Sequence, residues 1–294
     1  MNVEVCAAII SYHPDAELKL AIEILRPQVG RLVVVDNHSS EKVVKELRTL
    51  AEKYDFSLLE NPDNYGIGTA LNQSIAWARE HSECEFILFF DQDSFTSESF
   101  VAEMVAAYRR HAKSERIFLV IPKIVHRRTG VTCLHRTFRG KYLVAQTSGS
   151  LMPIQVFVDE GLYREDLFID LVDYEFCLRV AAHGWRIGYC EVAVLYHEPG
   201  NVKQIRVLGI VRVTTYSYSP LRKYYSMRNG IWTIMTYGLL YPAWASDHAY
   251  AMLKDVVRTL VFEKNRVVTI LMWVRAVMDV LRSRLGRYPY SKGS

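Results

Sequence analysis

Two carboxylates, Asp91 and Asp93, sit directly behind a run of five apolar residues, Phe86-Ile87-Leu88-Phe89-Phe90. Such a run reads as a strand buried on both faces, and ligands of open α/β sheets gather beyond the carboxyl ends of such strands. Carboxylate oxygens are hard ligands suited to Mg2+ or Mn2+, ions that complete their shells with water and substrate phosphates. Asp91-Gln92-Asp93 therefore points to a metal-bridged diphosphate, against the plainer use of two acids that solvate a loop and cap a helix starting near Glu98. Asp36 ends a second apolar run, Leu32-Val33-Val34-Val35, where it can also open an Asx turn through Asn37-His38-Ser39-Ser40. A third acidic group, Asp170, Asp173 and Glu175, follows Leu167-Phe168-Ile169. Acids so grouped fit the first turn of a helix, where the dipole favours negative charge. His197 follows strand-like Val192-Ala193-Val194-Leu195-Tyr196 and so lies at a strand exit.

Side chains placed in this way need strands that end together. The first part of the chain alternates strand and helix signals, the pattern of a parallel sheet with crossover helices. Strands are expected at Val5–Ile10, Arg31–Val35, Phe56–Glu60 and up to Asp91, with helices around Leu18–Ile22, Lys42–Tyr54 and Gly68–His81. After Pro122 the alternation breaks into shorter strands and polar turns. Beyond Pro220 the chain turns aromatic and basic, with Arg222-Lys223-Tyr224-Tyr225 and Arg228-Asn229, then an apolar stretch from Ile231 to Ala245. A final amphipathic helix carries Ile270, Leu271, Val274, Val277, Met278 and Leu281 on one stripe and Arg275, Asp279 and Arg282 on another. Its apolar stripe is expected to pack inward. The excess of Arg over acid after Lys264, with Trp273 expected exposed, also suits an anionic membrane surface.

The 294 residues are half apolar and carry a net charge of +4, which excludes global disorder and argues against a dedicated nucleic-acid binder. The five cysteines, Cys6, Cys84, Cys133, Cys177 and Cys190, show no Cys-x-x-Cys spacing. Neither a disulfide framework nor a zinc site is expected, and a reducing cytosol fits. The sequence opens on strand-like Val3–Ile10 without the features of a secretory signal, and no stretch is long and apolar enough to span a bilayer.

Taken together the motifs resemble the GT-A glycosyltransferases of family 2, and among them the bacterial rhamnosyltransferases, over roughly residues 5–230. Ile10-Ser11-Tyr12 resembles the opening strand end, Val35-Asp36-Asn37-His38-Ser39-Ser40 the nucleotide-binding turn, and Asn61-Pro62-Asp63-Asn64-Tyr65-Gly66 with Asn72 the donor loop. Asp91-Gln92-Asp93 takes the place of the metal motif. Thr147-Ser148-Gly149-Ser150, the segment Phe168–Glu175, Arg179 and Gly184-Trp185 match the acceptor half, and Tyr196-His197-Glu198 closes the set. The resemblance implies an α/β, GT-A fold: a Rossmann-like mixed sheet, mainly parallel, with a C-terminal helical segment. It implies a catalytic domain over 1–215, with a nucleotide-binding half at 1–95 and an acceptor-binding half at 96–215, and a helical, membrane-associating segment at 216–294.

By the same resemblance Ser11, Tyr12, Asp36, Asn64, Gly66, Asn72, Asp91, Gln92, Ser148, Gly149, Asp170, Glu175, Arg222 and Arg228 are expected at the substrates, and Asp93, His197 and Asp91 on a Mg2+ or Mn2+ ion. Asp36 would accept from the imide N–H of uracil or thymine, with the Asx turn as its local use. Asn64 and Gly66 would let backbone approach the nucleotide or form a plain turn. Asp173 takes the role of general base, Asp170 competes for it, and Glu175 orients neighbours. Arg222, Arg228 and Asn229 face a diphosphate, anionic lipid or only the helix surface.

The implied reaction is inverting transfer of L-rhamnose from dTDP-L-rhamnose to a polyprenyl-diphosphate-linked, O-antigen-like oligosaccharide. It places a cytoplasmic enzyme on the inner face of the membrane, and a homo-oligomer is compatible with the last helix. A UDP-sugar donor is the nearest alternative. A dehydrogenase fails on order, because Asp36 precedes Gly66-Ile67-Gly68 and Leu71 stands at the third glycine. A haloacid-dehalogenase-like phosphotransferase fits poorly with Phe95 four residues after Asp91, and a non-catalytic sugar-nucleotide binding module has no need of Asp91, Asp93 and Asp173 together.

Overall fold

A computed structural model describes residues 2–81, 84–197, 202–207, 211–216, 218–263 and 265–289; Glu198 of the last motif and Lys264 lie outside them. The first elements are β1 (Asn2–Ser11), α1 (Glu17–Leu25), β2 (Val29–Asp36), α2 (Glu41–Tyr54), β3 (Ser57–Glu60), α3 (Ile67–Arg79) and β4 (Phe86–Asp91). A short β5 (Phe95–Thr96), α4 (Phe100–His111), β6 (Ile117–His126), β7 (Thr132–Cys133), β8 (Thr137–Phe138), β9 (Lys141–Tyr142) and β10 (Leu151–Pro153) follow. Then come α5 (Gln155–Asp159), α6 (Val172–Ala182), β11 (Arg186–His197), β12 (Val202–Val207), β13 (Val211–Tyr216), α7 (Pro220–Tyr237), α8 (Pro242–Phe262) and α9 (Arg266–Leu281). The alternating first part thus has the elements its sequence pattern predicts.

The main sheet runs β3-β2-β1-β4-β10-β6-β11-β5, with β7 paired to β6. Pairs β1–β2, β2–β3, β1–β4 and β6–β11 are parallel, whereas β10 is antiparallel to both neighbours and β5 to β11. This is the mixed, mainly parallel sheet that the resemblance implies. Continuous apolar runs build it because both faces are covered: Val5 to Ile9 and Phe86 to Phe90 are all at most 2% exposed. The register sets Ser11 beside Asp36 and Ile10 beside Asp91, so these carboxyl ends finish level. β1 is also where the chain order reverses, and the crevice at such a switch point is where open α/β sheets bind ligands.

The same parallel pairing corrects the cysteine expectation. Cys6 on β1 and Cys84, just ahead of β4, form a disulfide across 78 residues of sequence. Their spacing carries no motif, because neighbours in a parallel sheet are separated by whole crossover connections.

The chain divides into two compact units, Met1–Glu165 with Val172–Glu198, and Asp166–Leu171 with Pro199–Ser294. The β12–β13 hairpin and the six residues 166–171 group with the helices. In the second unit α7 begins with Ser219, whose hydroxyl accepts from Arg222 N, and with Pro220 at its first position. α8 and α9 both pack on α7, around Tyr224, Tyr225 and Ala276, joined by Phe168, Leu221, Met272 and Tyr288.

α9 turns the other way from expectation. Its buried stripe is Thr269, Trp273, Ala276 and Val280, so Trp273 is 8% exposed rather than open. Leu271 is 64%, Val274 52% and Leu281 75% exposed, and α8 adds Tyr250, Leu253, Val257 and Val261 at 51–59%. Small and aromatic residues pack this helix inward, and the longer aliphatic stripe is left outside. Among the described residues no helix is long and apolar enough to cross a membrane.

Candidate active site

In the first unit one side-chain atom each from Asp91, Asp93 and His197 lies within 4.8 Å of the others. Two elements bring them together. β4 delivers the two acids at its carboxyl end, and β5, right behind them, pairs antiparallel with the end of β11 through Phe95–Tyr196 and Thr96–Leu195. That pairing carries His197 back to the acidic loop from a hundred residues away. His197 Nδ1 lies 3.8 Å from Asp93 Oδ1 and 3.3 Å from Ser94 Oγ. Two carboxylates and an imidazole make a donor set that fits Mg2+ or, with the nitrogen, Mn2+.

The floor of this loop is a serine relay. Ser148 Oγ accepts from Asp91 N at 3.0 Å and lies 2.8 Å from Ser94 Oγ. Ser148 is 3% exposed and shapes the acidic loop from beneath. Gly149 stands beside it. Its φ is 78°, its N donates to Phe89 O at 2.7 Å, and an added Cβ would fall 2.7 Å from Leu195 Cδ2. It is a packing glycine. Ser94 escaped the sequence-based expectations, its one signal being its place next to Asp93.

Asp36 is 1% exposed and its carboxylate accepts from Ser11 Oγ at 3.1 Å, from Ser39 N at 2.8 Å and from Ser39 Oγ. The Asx turn is thus formed, with Ser11 as the lid on the carboxylate. Gln92 Oε1 accepts from Tyr12 N at 2.8 Å, tying the ends of β1 and β4 together, and the Tyr12 ring is 43% exposed above them. Asn64 Oδ1 accepts from Gly66 N at 3.0 Å and from Asn37 Nδ2 at 3.1 Å, while Asn37 Oδ1 accepts from Tyr65 N and Asn61 Nδ2. An amide cluster therefore holds the turn into α3, and Gly66 adopts φ 85° at the helix start.

Asn72 does not reach the donor loop. Its amide donates to Tyr163 O at 3.0 Å and Glu165 Oε1 at 2.8 Å and accepts from Tyr163 N at 3.0 Å, so it straps residues 163–165 onto α3. Glu175 is wholly buried, accepting from Arg179 Nε at 3.0 Å, and Arg179 in turn donates to Leu162 O at 2.7 Å. Burial and bonding make these residues supports for the stretch before α6. Asp173 is half-buried in the first turn of α6, and its Oδ1 accepts from Tyr174 N at 2.9 Å.

The remaining expected residues belong to the second unit. Asp170 Oδ1 accepts from Arg222 Nη2 at 3.2 Å, and burial raises the Asp170 carboxyl above its ordinary range with Arg222 opposing the shift. Arg228 is 1% exposed and donates to Gly286 O at 2.6 Å, Asp166 O at 3.2 Å and Leu167 O at 3.1 Å. Its guanidinium is engaged by backbone carbonyls.

Comparison with known proteins gives three findings. Residues 6–141 match the family described as glycosyl transferase family 2. The dTDP-rhamnosyl transferase RfbF of Shigella flexneri is 28% identical over 246 residues, covering 78% of this chain and 79% of that protein. Among solved structures, S. aureus TarS 1–349 in complex with UDP-GlcNAc has a TM-score of 0.58 at 14% identity, covering 96% of this chain and 82% of that one. A longer TarS structure gives 0.60 at 15% identity, with this chain spanning about half of it, 49%. GalNAc-T7 with UDP, GalNAc and Mn2+ gives 0.57 at 13%, covering 79% and 48%.

Proposed function

We propose that the chain, whose residues 6–141 match glycosyl transferase family 2, is a glycosyltransferase that moves L-rhamnose from dTDP-L-rhamnose, with inversion, to a lipid-linked oligosaccharide. The observation that carries this is the meeting of Asp91, Asp93 and His197 at the switch point of the sheet, level with Asp36. The name of the Shigella relative supports the choice of donor.

Asp91, Asp93 and His197 would hold a Mg2+ or Mn2+ ion, which when bound neutralises charge on the departing diphosphate. Asp36 and the amide-held turn at 61–66 border the crevice that receives the nucleotide. Asp173 takes the proton of the acceptor hydroxyl as that oxygen bonds to the anomeric carbon and the bond from the anomeric carbon to the diphosphate oxygen breaks, releasing dTDP.

Calorimetry of dTDP, UDP and GDP, with and without Mn2+, tests the donor site. The expected outcome is metal-dependent binding of dTDP over GDP, lost in Asp93→Ala; binding indifferent to metal and to Asp93 overturns the metal assignment. Asp173→Asn should bind dTDP within about twofold of wild type yet lose roughly 10²–10⁴-fold in transfer. Near-normal transfer would move the base elsewhere.

The acceptor and the location follow from the second unit. The outward apolar stripes of α8 and α9, accompanied by Lys254, Arg258, Arg266 and Arg282, suit the interface of an anionic bilayer and hence a peripheral enzyme on the cytoplasmic face with a polyprenyl-diphosphate-linked, O-antigen-like acceptor. Vesicles of phosphatidylglycerol should sediment the chain better than phosphatidylcholine, and Leu271→Glu with Val274→Glu should release it. A dimer dispersed by those substitutions, with no vesicle binding by wild type, would assign the stripes to a second copy instead.

A further inference from the structure

Residues 127–141 of the first unit carry Arg127, Arg128, Arg136, Arg139 and Lys141 and neither Asp nor Glu. These five charges exceed the net +4 of the whole chain, so everything outside the segment sums to −1. A positive charge so concentrated draws a polyanionic partner. Arg127 is paired with Glu17 at 2.8 Å and lies over the Phe95 ring. The other four are exposed, and between them Val131 is 61% and Leu134 90% exposed.

Two short hairpins present these side chains. β7 pairs back on β6, and β8 with β9 closes around the two-residue loop Arg139-Gly140. Such loops take positive φ at both central positions, and here φ is 51° and 75°. Asn or Asp fills the first position with least strain; arginine sets a charge at the tip against the preference of the backbone. The rings of the segment are used differently. His135 Nε2 donates to Pro122 O at 2.7 Å, and its ring lies 5.7 Å from Tyr189 of β11 and 6.1 Å from Tyr142 of β9, themselves 5.6 Å apart. The aromatics fasten the second hairpin to β11, and the cations and aliphatic side chains are left outside.

We propose that residues 128–141 are a lipid-contacting surface of the first unit, with the arginines and Lys141 on the phosphates of an anionic bilayer and Val131 and Leu134 at the acyl boundary. Exposed aliphatic groups among cations find no counterpart on a nucleic acid or a soluble diphosphate, and the rings that could stack on a base are engaged with one another. The proposal stands on this segment alone and does not rest on the stripes of α8 and α9.

The test is local. Cys133 is exposed within the segment, Cys177 and Cys190 are buried, and Cys6 is joined to Cys84, so an environment-sensitive fluorophore on Cys133 of the full chain reports this surface. Vesicles of phosphatidylglycerol should shift its emission to the blue and those of phosphatidylcholine should not. About 1 M salt, where charges are screened within about 3 Å, should weaken the binding at least about tenfold. Arg136→Glu with Arg139→Glu should weaken it roughly 10- to 100-fold with the melting temperature unchanged. Arg139→Asn separates charge from fold: it should hold or raise the melting temperature, since Asn suits the turn, yet weaken binding about fivefold.

A label that phosphatidylglycerol leaves unshifted overturns the proposal, whatever the whole chain does on sedimentation, and so does a wild-type response in the double variant. A shift produced by RNA or inorganic diphosphate but not by vesicles assigns the cations to a soluble polyanion and overturns it as well.

Discussion

Two turns, one in each unit, reach positive φ by opposite means. Ahead of α3 the position is occupied by Gly66, and the bond that closes the turn, Asn64 Oδ1 to Gly66 N, spans two residues. Ahead of α6 the positions are Phe168, Asp170 and Leu171, and the bonds that close the turn come from Asn229 and Arg228, some sixty residues on. The first conformation is a property of its own residues. The second is imposed by another element and lasts only as long as that element stays packed.

Arg228→Ala should separate the two most sharply. It withdraws a charged donor from the buried carbonyls of Asp166, Leu167 and Gly286, and leaving such acceptors unpaired costs about 3 kcal/mol or more. Thermal melting should show the second unit lost early, while calorimetry finds dTDP affinity within about twofold, because the donor-side turn draws nothing from α7. If nucleotide affinity falls in step with stability, the turns are not independent and the comparison breaks. Gly66→Ala is the converse case. At φ 85° and ψ 167°, a region open essentially to glycine alone, a Cβ costs on the order of 1–3 kcal/mol, so the turn beside the nucleotide crevice should distort and dTDP affinity fall severalfold, with the melting of the second unit unmoved. Unchanged affinity would mean that this turn does not border the nucleotide.

The same contrast explains what could be read from the sequence. Apolar runs ending in acids placed β2 and β4 and their carboxylates, because a strand buried on both faces writes its burial in every residue. Asn64 and Gly66 announced a turn because the turn is made of them. Ser148, Gly149, Asn72 and Glu175 fell within recognisable motifs, and their buried bonds were not legible, since a motif records which residues gather and not which face they present. Ser94 gave no signal apart from adjacency. Cys6 and Cys84 meet only through a parallel pairing whose connection is 78 residues long. On α9 the period of the apolar stripe was legible, yet its direction was not: Trp273, Ala276 and Val280 supply the packed face and Leu271, Val274 and Leu281 the open one. Periodicity gives a helix its faces, and only the partner chooses between them. Asn229 and Arg228 are the extreme case, read as groups for a phosphate or lipid because Arg and Asn near a chain's basic region suggest exactly the solvent-facing chemistry that burial denies them.

Asp170→Asn probes the imposed turn at its smallest scale, through one proton. Burial raises the Asp170 carboxyl above its ordinary value of 3.8, against the pull of Arg222. The folded state therefore disfavours the charged form more than the unfolded chain does, and folding stability is lost as pH rises from 3.8 through the raised value. An amide carries no such penalty and tolerates positive φ as readily as the acid it replaces. The cost of the change is the 3.2 Å bond to Arg222, whose side chain is 41% exposed and can turn to water, so little stability goes with it. At pH 7 the variant should melt higher by about one or two degrees, and the gain should vanish toward pH 3, where both folded and unfolded wild-type chains carry the proton. A variant that melts lower at pH 7 would show that the Arg222 pair, rather than the Asn229 amide, carries the turn, and the contrast with Gly66 would then be one of charge against glycine instead of clamp against glycine.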